Sequence, residues 1–118
     1  MGFPEEKIEG AIVFRPAGRI DGSELNDVES RIIELVGSNQ NRILIDMSVV
    51  DFINSAGLRT LLIIGKRLQV ANGGLTLFGL QENVARVFEI ARFNNIFPIY
   101  SSEAEAANTL HRPYAVGS

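Results

Sequence analysis

Cysteine is absent from the 118 residues of this chain, and its absence excludes disulfide bonds, thiolate metal sites and cysteine nucleophiles. Histidine is nearly absent too, because His111 is the only one. A Ser-His-Asp triad or a multi-histidine metal site would have to be built on that single side chain. Few classes of enzyme remain, and we expect no catalytic residue, no metal site and no cofactor.

Basic residues are not in surplus. The chain has 14 acidic and 11 basic residues, which gives a net charge of −3, and the basic residues are scattered along it. A domain that binds duplex nucleic acid usually carries a basic surplus. We therefore expect no direct nucleic-acid partner.

Long apolar runs are also missing. The longest, residues 61–64, is far shorter than the roughly 20 residues that a membrane-spanning helix needs. The first ten residues are acidic and lack the apolar stretch of a signal peptide. These features predict a cytoplasmic protein without membrane insertion.

The composition that is present is that of a globular protein. Apolar residues make up 46% of the chain and charged residues 21%, which excludes a mainly disordered chain. A length of 118 residues is typical of one domain. We predict a single domain over residues 1–118, with its core at about 8–110 and a frayed tail at 112–118.

Strand-like and helix-like segments alternate along the chain. The predicted elements, in chain order, are a hairpin arm within 3–9, a strand in 10–18, a helix from about 21 to 37, a strand over 42–46, a connecting loop over 46–55 with room for an extended piece, a helix up to about 72, a strand over 75–79, a helix from about 81, a short strand in 96–100 and a helix ending near 110. Asp21 and Glu24 approximate a capping box at the first helix, with Ser23 as the alternative cap. The alternation predicts a sheet with parallel strands and crossover helices.

Ser55 is the residue with the most distinctive setting. It stands between a polar loop and a helical apolar pattern, which places its hydroxyl at or beside a helix N-terminus. Free backbone N–H groups and the helix dipole favour a phosphate there, and Gly57 lets a partner approach the backbone closely. The same position also suits Ser55 or Asn54 as an ordinary helix cap.

Other groups in this region carry weaker signals. Asp46 and Asp51 permit a carboxylate pair, but Asp46 fits a hydrogen bond to the loop after its strand, and Asp51 fits a solvated position. Gly73-Gly74 is not followed by the Gly-Lys-Ser/Thr of a phosphate-binding loop. The sequence therefore does not support nucleotide binding or hydrolysis.

Several motifs together resemble the STAS domain family, and most closely its bacterial anti-sigma factor antagonists. The family's strand-Asp-x-Ser corresponds to residues 45–48, and its Asp-Ser-Ser/Thr-Gly-Leu helix opening to residues 54–58. Gly-x-Ile-Asp at 18–21, the glycine pair at 73–74 and Val-x-Arg-Val-Phe-x-Ile at 84–90 also match. The resemblance covers about residues 8–110 and implies an α/β fold: a STAS-type single domain with a mixed sheet of four to five strands and about four helices.

The resemblance also implies a function. In those antagonists the serine after the motif aspartate is phosphorylated by a serine kinase that is itself the anti-sigma factor. The unphosphorylated form sequesters that kinase and frees the sigma factor, and a PP2C-type phosphatase resets the switch. By position the phosphoacceptor is Ser55, and the protein is expected to regulate sigma-factor-dependent transcription by partner switching rather than to act as an enzyme.

The motif departs from the family pattern on both sides of Ser55. Asn54 replaces the aspartate that is usual in the family. The loss of that negative charge reduces the repulsion of a phosphate of about −1.5 to −2 charges on Ser55, but it also weakens recognition by a kinase that binds the aspartate. Ala56 replaces the Ser or Thr that is usual in the family, so Ser55 is the only residue of the motif with a hydroxyl group. The implied partner-binding residues are Asp21, Asn54, Ser55, Ala56, Gly57, Leu58 and Arg59. Asp21 is expected to lie near Ser55, and Arg59 either pairs with a phosphate on Ser55 or is solvated.

A second function from a different class also fits these residues. A STAS module that is never phosphorylated can serve as a constitutive interaction subunit of a transporter or of a stress-signalling complex. The replacements at Asn54 and Ala56 favour that alternative. The retained Ser55 and the length of the chain favour the phosphorylation switch.

Overall fold

The computed structural model describes residues 4–108, apart from the side chain of Glu24. In chain order its elements are β1 (Glu5–Ile8), β2 (Ala11–Phe14), β3 (Gly18–Ile20), α1 (Glu24–Gly37), β4 (Arg42–Asp46), β5 (Val50–Ile53), α2 (Ser55–Val70), β6 (Gly74–Phe78), α3 (Glu82–Ile90), a 3-10 turn (Phe93–Asn95), β7 (Ile99–Tyr100) and α4 (Glu103–Asn108). The predicted α/β class is confirmed. The expected end of the last helix near Leu110 and the tail at 112–118 lie outside the described residues.

Five strands form the main sheet, in the order β1-β2-β4-β6-β7. The β1–β2 pair is antiparallel, as expected for a hairpin arm, whereas β2, β4, β6 and β7 run parallel to one another. The parallel strands are joined by helical crossovers, as the alternation predicts. The sheet is therefore mixed, with its antiparallel member at one edge.

A second sheet of two parallel strands, β3 and β5, was not predicted. The expected single strand in 10–18 is interrupted after Phe14, and the extended piece allowed for in the loop over 46–55 is the strand β5. Both new strands are only three or four residues long, which is too short for a two-residue period to be recognised. They form because distant segments meet, with Arg19 opposite Phe52 and Ile20 opposite Ile53.

The core has one large and one small part, on opposite faces of the main sheet. Along β2, Ile12 and Phe14 point into the large part, where α1, α2 and α3 also place their buried side chains. Val13 points to the other face, into a smaller cluster with Ala106 of α4. Strands β2, β4 and β6 are thus buried on both faces, which explains their almost continuous apolar sequences.

The observed helix caps agree only in part with the capping residues that the sequence predicts. At α1, Ser23 holds the cap position but its side chain makes no capping bond; instead it donates to Asp21 Oδ1 at 2.9 Å. At α4, Ser102 Oγ accepts from the backbone N–H of Glu105 at 3.2 Å. The Glu105 carboxylate accepts hydrogen bonds from Ser101, and these hold the pKa of Glu105 below its usual value.

Arg15, directly after β2, joins three separate elements. Its guanidinium binds Asp46 at 2.9 Å, Glu103 at 3.0 Å and Glu6 at 2.7 Å, and so links β4, α4 and β1. Partial burial would raise the pKa of Asp46, but hydrogen bonds from Ser48 and the charge of Arg15 hold that pKa below its ordinary value. The guanidinium therefore offsets part of the negative charge of a three-carboxylate cluster at the end of the sheet.

Replacing this arginine is expected to destabilise the domain. In Arg15→Met the three carboxylates converge without a counter-charge, and we expect a loss of about 1–3 kcal/mol in the free energy of unfolding, measured by urea denaturation at neutral pH. The matched control is Arg31→Met, because Arg31 pairs with Glu5 and Glu34 at a more exposed position. We expect the control to lose less than about 1 kcal/mol. Equal losses in the two variants would contradict a structural function for the Arg15 cluster.

Candidate functional site

The N-terminus of α2 is capped by Asn54. Its backbone is extended, with φ −114° and ψ −177°, and its side-chain oxygen accepts a hydrogen bond from the backbone N–H of Gly57 at 3.0 Å. The Asn54 carbonyl accepts the first helical bond, from Leu58 N–H at 3.0 Å. Asn54, and not Ser55, is therefore the cap of this helix.

Gly57 sets how closely α2 approaches the two-stranded sheet. A Cβ atom on this residue would lie 2.9 Å from the carbonyl oxygen of Ile20 and 2.9 Å from a side-chain carbon of Ile53. Both distances are shorter than real Cβ contacts. The first turn of α2 therefore rests directly on the ends of β3 and β5, and this contact fixes where the helix starts.

The loop after β3 covers the same turn from the side. Gly22 has φ +109°, and a Cβ atom on it would lie 3.0 Å from Cβ of Ala56. Asp21 precedes this glycine, and its Oδ1 accepts from Ser23 N–H at 3.3 Å, which stabilises the bend. The loop that carries Asp21 therefore approaches the start of α2 where Gly22 faces Ala56, and the proximity of Asp21 itself to Ser55 stays a prediction.

Ser55 is the first residue of α2, and its side chain is exposed. Nearby hydroxyls are already engaged, since Ser23 donates to Asp21 and Thr60 donates to the carbonyl of Ala56 at 3.1 Å. Within residues 4–108, the Ser55 hydroxyl has no hydrogen-bond partner. It is the hydroxyl that an enzyme approaching this end of α2 would meet.

Three features of α2 favour an anion at Ser55, against the negative charge that Asp21 brings to the neighbouring loop. The first turn of α2 contains no acidic residue, so the positive end of the helix dipole is not neutralised from within the helix. Arg59 follows Ser55 by one helical turn, is exposed, and makes no ion pair within the described part of the chain. A phosphate on Ser55 would meet backbone N–H groups, the dipole and one guanidinium.

The remaining residues of the expected partner surface are not all at the surface. Ala56 and Arg59 are exposed and Asn54 is half-buried, whereas Gly57 is buried. Leu58 is only 7% exposed and belongs to the main core. Gly57 and Leu58 therefore lie beneath the exposed residues of the site and pack against the interior of the domain.

Asp46 and Asp51 do not form a carboxylate pair. Asp46 accepts from Ser48 N–H at 2.9 Å and binds Arg15, whereas Asp51 is exposed on β5 and its backbone carbonyl accepts from Asn83 at 2.7 Å. The expected hydrogen bond between Asp46 and the loop is confirmed, with the Asp46 carboxylate as its acceptor. Asp51 is exposed as expected, but it lies in a strand.

One feature beside the site was not anticipated. The guanidinium of Arg19 lies 4.0 Å from the ring centre of Phe52, on the outer face of the two-stranded sheet. The pair follows from the register that places Arg19 opposite Phe52, and a cation over an aromatic face is stabilising. Only knowledge of the β3–β5 pairing would have revealed it.

Residues 4–108 provide neither a metal site nor a membrane-spanning helix. No group of three or more His, Asp or Glu side chains there is arranged to hold a metal ion. In the same range no helix combines the length and the apolar character needed to cross a membrane.

Comparison with known proteins identifies the family. Residues 4–106 match the model of the STAS domain. Over 107 residues the chain is 33% identical to the proposed anti-sigma factor antagonist BtrV of Bordetella bronchiseptica, covering 91% of this chain and 92% of that protein. The chain belongs to the STAS domain family, and its relative in Bordetella bronchiseptica is a proposed anti-sigma factor antagonist.

Solved structures agree with this assignment at the level of the fold. A proposed anti-sigma factor antagonist of Thermotoga maritima has a TM-score of 0.85 and 22% identity, covering 93% of this chain and 95% of that chain. The Bacillus anti-sigma factor antagonist SpoIIAA in its unphosphorylated form has a TM-score of 0.71 and 18% identity, covering 93% of this chain and 98% of that chain. SpoIIAA has also been solved in a phosphorylated form, again with a TM-score of 0.71 and 18% identity, over 92% of this chain and 99% of that chain.

Proposed function

We propose that this protein is a cytoplasmic, non-enzymatic anti-sigma factor antagonist whose binding to an anti-sigma factor is controlled by phosphorylation of Ser55. The anti-sigma factor is the serine kinase, and a PP2C-type phosphatase reverses the modification. The unphosphorylated protein holds the kinase, and the sigma factor is then free to act in transcription. The protein itself contacts neither nucleic acid nor the membrane interior.

The observation that carries this proposal is the state of the Ser55 hydroxyl. It is exposed at the first position of α2 and unpartnered within residues 4–108, because Asn54 supplies the helix cap in its place. A serine that served as the cap would have its oxygen occupied by a backbone N–H. The existence of SpoIIAA structures in phosphorylated and unphosphorylated forms supports the same chemistry in a protein of this fold.

The proposed mechanism needs no catalytic group on this chain. Ser55, Ala56 and Arg59 lie on one exposed end of α2 and would dock on the kinase. A phosphate there introduces about −1.5 to −2 charges into a packed interface. Desolvation of that charge disfavours the complex, while the helix N-terminus and Arg59 stabilise the phosphate in the free protein.

The test is an intact-mass measurement on the protein isolated from its native cells, with and without phosphatase treatment. We expect a fraction heavier by about 80 Da, the mass of one phosphoryl group. This fraction should disappear after phosphatase treatment and be absent from Ser55→Ala. Ser102→Ala is the control, because Ser102 is also exposed and directly precedes a helix, α4. This variant should keep the heavier fraction.

Absence of the heavier fraction in both growing and stressed cells would overturn the phosphorylation switch. The replacements at Asn54 and Ala56 would then indicate a constitutive STAS interaction module. That second candidate predicts the same amount of complex with and without phosphatase treatment, whereas the switch predicts that phosphatase treatment increases the amount of complex.

A further inference from the structure

The side chain of Arg19 is held in place by an aromatic ring. Its guanidinium carbon lies 4.0 Å from the ring centre of Phe52, and Arg19 is exposed while Phe52 is half-buried. Within residues 4–108 the guanidinium makes no ion pair and donates no side-chain hydrogen bond. The ring thus positions the cation before any partner arrives, while its N–H donors stay unused. A positioned arginine of this kind is typical of the anchors of protein interfaces.

An irregularity in the β3–β5 pairing directs Arg19 to this ring. Gly18 pairs with Val50. The next residue, Arg19, pairs with Phe52 and skips Asp51. In a regular register Arg19 would lie opposite that carboxylate and could be neutralised by it. Irregularities of this kind change the direction of a side chain and occur next to functional sites.

Other arginines of the described chain already have acidic partners within it. Those that form ion pairs are Arg15, Arg31, Arg67 and Arg86. Within residues 4–108, Arg19, Arg59 and Arg92 form none. Arg59 lies one helical turn after Ser55, so two of these three cations belong to the elements that meet at the start of α2.

The acidic residues near Arg19 do not pair with it. Asp21 accepts hydrogen bonds from the backbone N–H and the hydroxyl of Ser23, and Asp51 is out of register. Both carboxylates weaken the general attraction of this surface for another acid. Binding of an acid by Arg19 therefore depends on direct contact with the guanidinium.

Arg19 lies within reach of a partner that covers Ser55. Phe52 precedes Ser55 by three residues, so their Cα atoms are at most about 11 Å apart. The ends of β3 and β5 also touch the first turn of α2 at Gly57. An interface of ordinary size covers about 800 Å² on each partner, equivalent to a disc about 16 Å in radius. An interface of that size centred on Ser55 extends beyond Phe52.

We propose, on the basis of the proposed function, that Arg19 is a specificity-determining residue that binds a carboxylate of the anti-sigma factor beside the Ser55 contact. The guanidinium on Phe52 presents parallel N–H donors to one aspartate or glutamate side chain, which is the strongest geometry for a carboxylate. Ser55 then controls whether the complex forms, and Arg19 determines which anti-sigma factor is bound. A homologous partner without an acid at that point is bound more weakly.

The test is titration calorimetry with the anti-sigma factor that co-purifies with the unmodified protein and phosphorylates Ser55. The titration is done without ATP, so that Ser55 stays unmodified. We expect Arg19→Glu to weaken binding about a hundredfold, because two carboxylates then face each other. Arg19→Lys keeps the charge but loses the two parallel donors, and we expect a loss of about tenfold.

The matched control is Arg92→Glu. Arg92 is exposed and has no ion pair within residues 4–108. It follows the end of α3, whereas Asn83 at the start of that helix is the residue that contacts β5. The same charge reversal at Arg92 should leave the affinity unchanged. Circular dichroism confirms that each variant is folded.

A double-mutant cycle tests whether the ring positions the arginine. Phe52→Leu should weaken binding several-fold when Arg19 is present. In an Arg19→Ala background the same change should have little further effect, because the ring then has no cation to hold. Equal losses in the two backgrounds would show that Phe52 acts independently of Arg19.

The outcomes separate the assignment of Arg19 from the proposed function. If Arg19→Glu binds as tightly as the unmodified protein while Ser55→Glu binds more weakly, the assignment is wrong and the proposed function stands. Equal losses in Arg19→Glu and Arg92→Glu would also overturn the assignment, since only net charge would then matter. If no kinase that phosphorylates Ser55 binds the unmodified protein, the proposed function fails and the assignment fails with it.

Discussion

Ser55→Glu is expected to weaken binding to the cognate anti-sigma factor by about tenfold to a hundredfold. The glutamate places a permanent negative charge at the first position of α2, on the exposed end that is proposed to dock. Burying that charge without a partner disfavours the complex. In the free protein the same charge is stabilised by the dipole at the helix N-terminus. Isothermal titration calorimetry with the anti-sigma factor, obtained by co-purification with the unmodified protein, measures the change.

The matched control for this charge effect is Ser30→Glu. Ser30 is exposed on α1, so the same substitution adds the same charge away from the start of α2. Its affinity for the anti-sigma factor should equal that of the unmodified protein. If Ser55→Glu bound with unchanged affinity, the first turn of α2 would not be part of the kinase interface.

Gly57→Ala is expected to destabilise the domain by about 1–3 kcal/mol, although alanine is the better helix former. The added Cβ would lie 2.9 Å from the carbonyl oxygen of Ile20, and a backbone atom in a sheet cannot move aside as a flexible side-chain end can. The start of α2 must shift away from β3 and β5. Urea denaturation measures the loss, and binding to the anti-sigma factor should fall in the same variant because Ser55 shifts with the helix.

The matched control for Gly57→Ala is Gly37→Ala at the end of α1. No atom lies within 4 Å of a Cβ built on Gly37, and its φ is not positive. This variant should therefore be as stable as the unmodified protein or more stable, by up to about 1 kcal/mol. A stabilised Gly57→Ala would show that the first turn of α2 is more loosely packed than the structure indicates.

Much of the fold could be predicted because it depends on local sequence patterns. The sequence predicts strand β4 with its observed bounds, Arg42–Asp46, because a short apolar run between polar residues is typical of a buried strand. The faces of β2 follow from the same local pattern, because side chains alternate along a strand and Val13 lies on the face opposite to Ile12 and Phe14. These features follow from the period of a strand within one segment.

The rest of the fold depends on contacts between distant segments. Strands β3 and β5 are too short to show a period, and each becomes a strand only because the other pairs with it. The Arg15 cluster joins residues from position 6 to position 103. Neither the β3–β5 pairing nor the Arg15 cluster can be recognised from the sequence around any one of these residues.

The candidate site was predicted in position but not in all its details. The change from polar loop to apolar helix correctly placed Ser55 at the start of α2. Whether Ser55 or Asn54 was the cap depended on a backbone conformation that either residue can adopt. Leu58 matched the family motif and was included in the partner surface, but the helix turns it into the core.

The Arg15 cluster has a consequence for how this domain tolerates rearrangement of its chain. Glu6 near the start and Glu103 near the end of the described residues bind the same guanidinium, so β1 and α4 meet at one corner of the domain. Neighbouring ends of this kind allow a domain to be circularly permuted or inserted into a surface loop of another protein without distortion. This fold is therefore suited to being carried as a module inside a longer polypeptide, connected at a single corner.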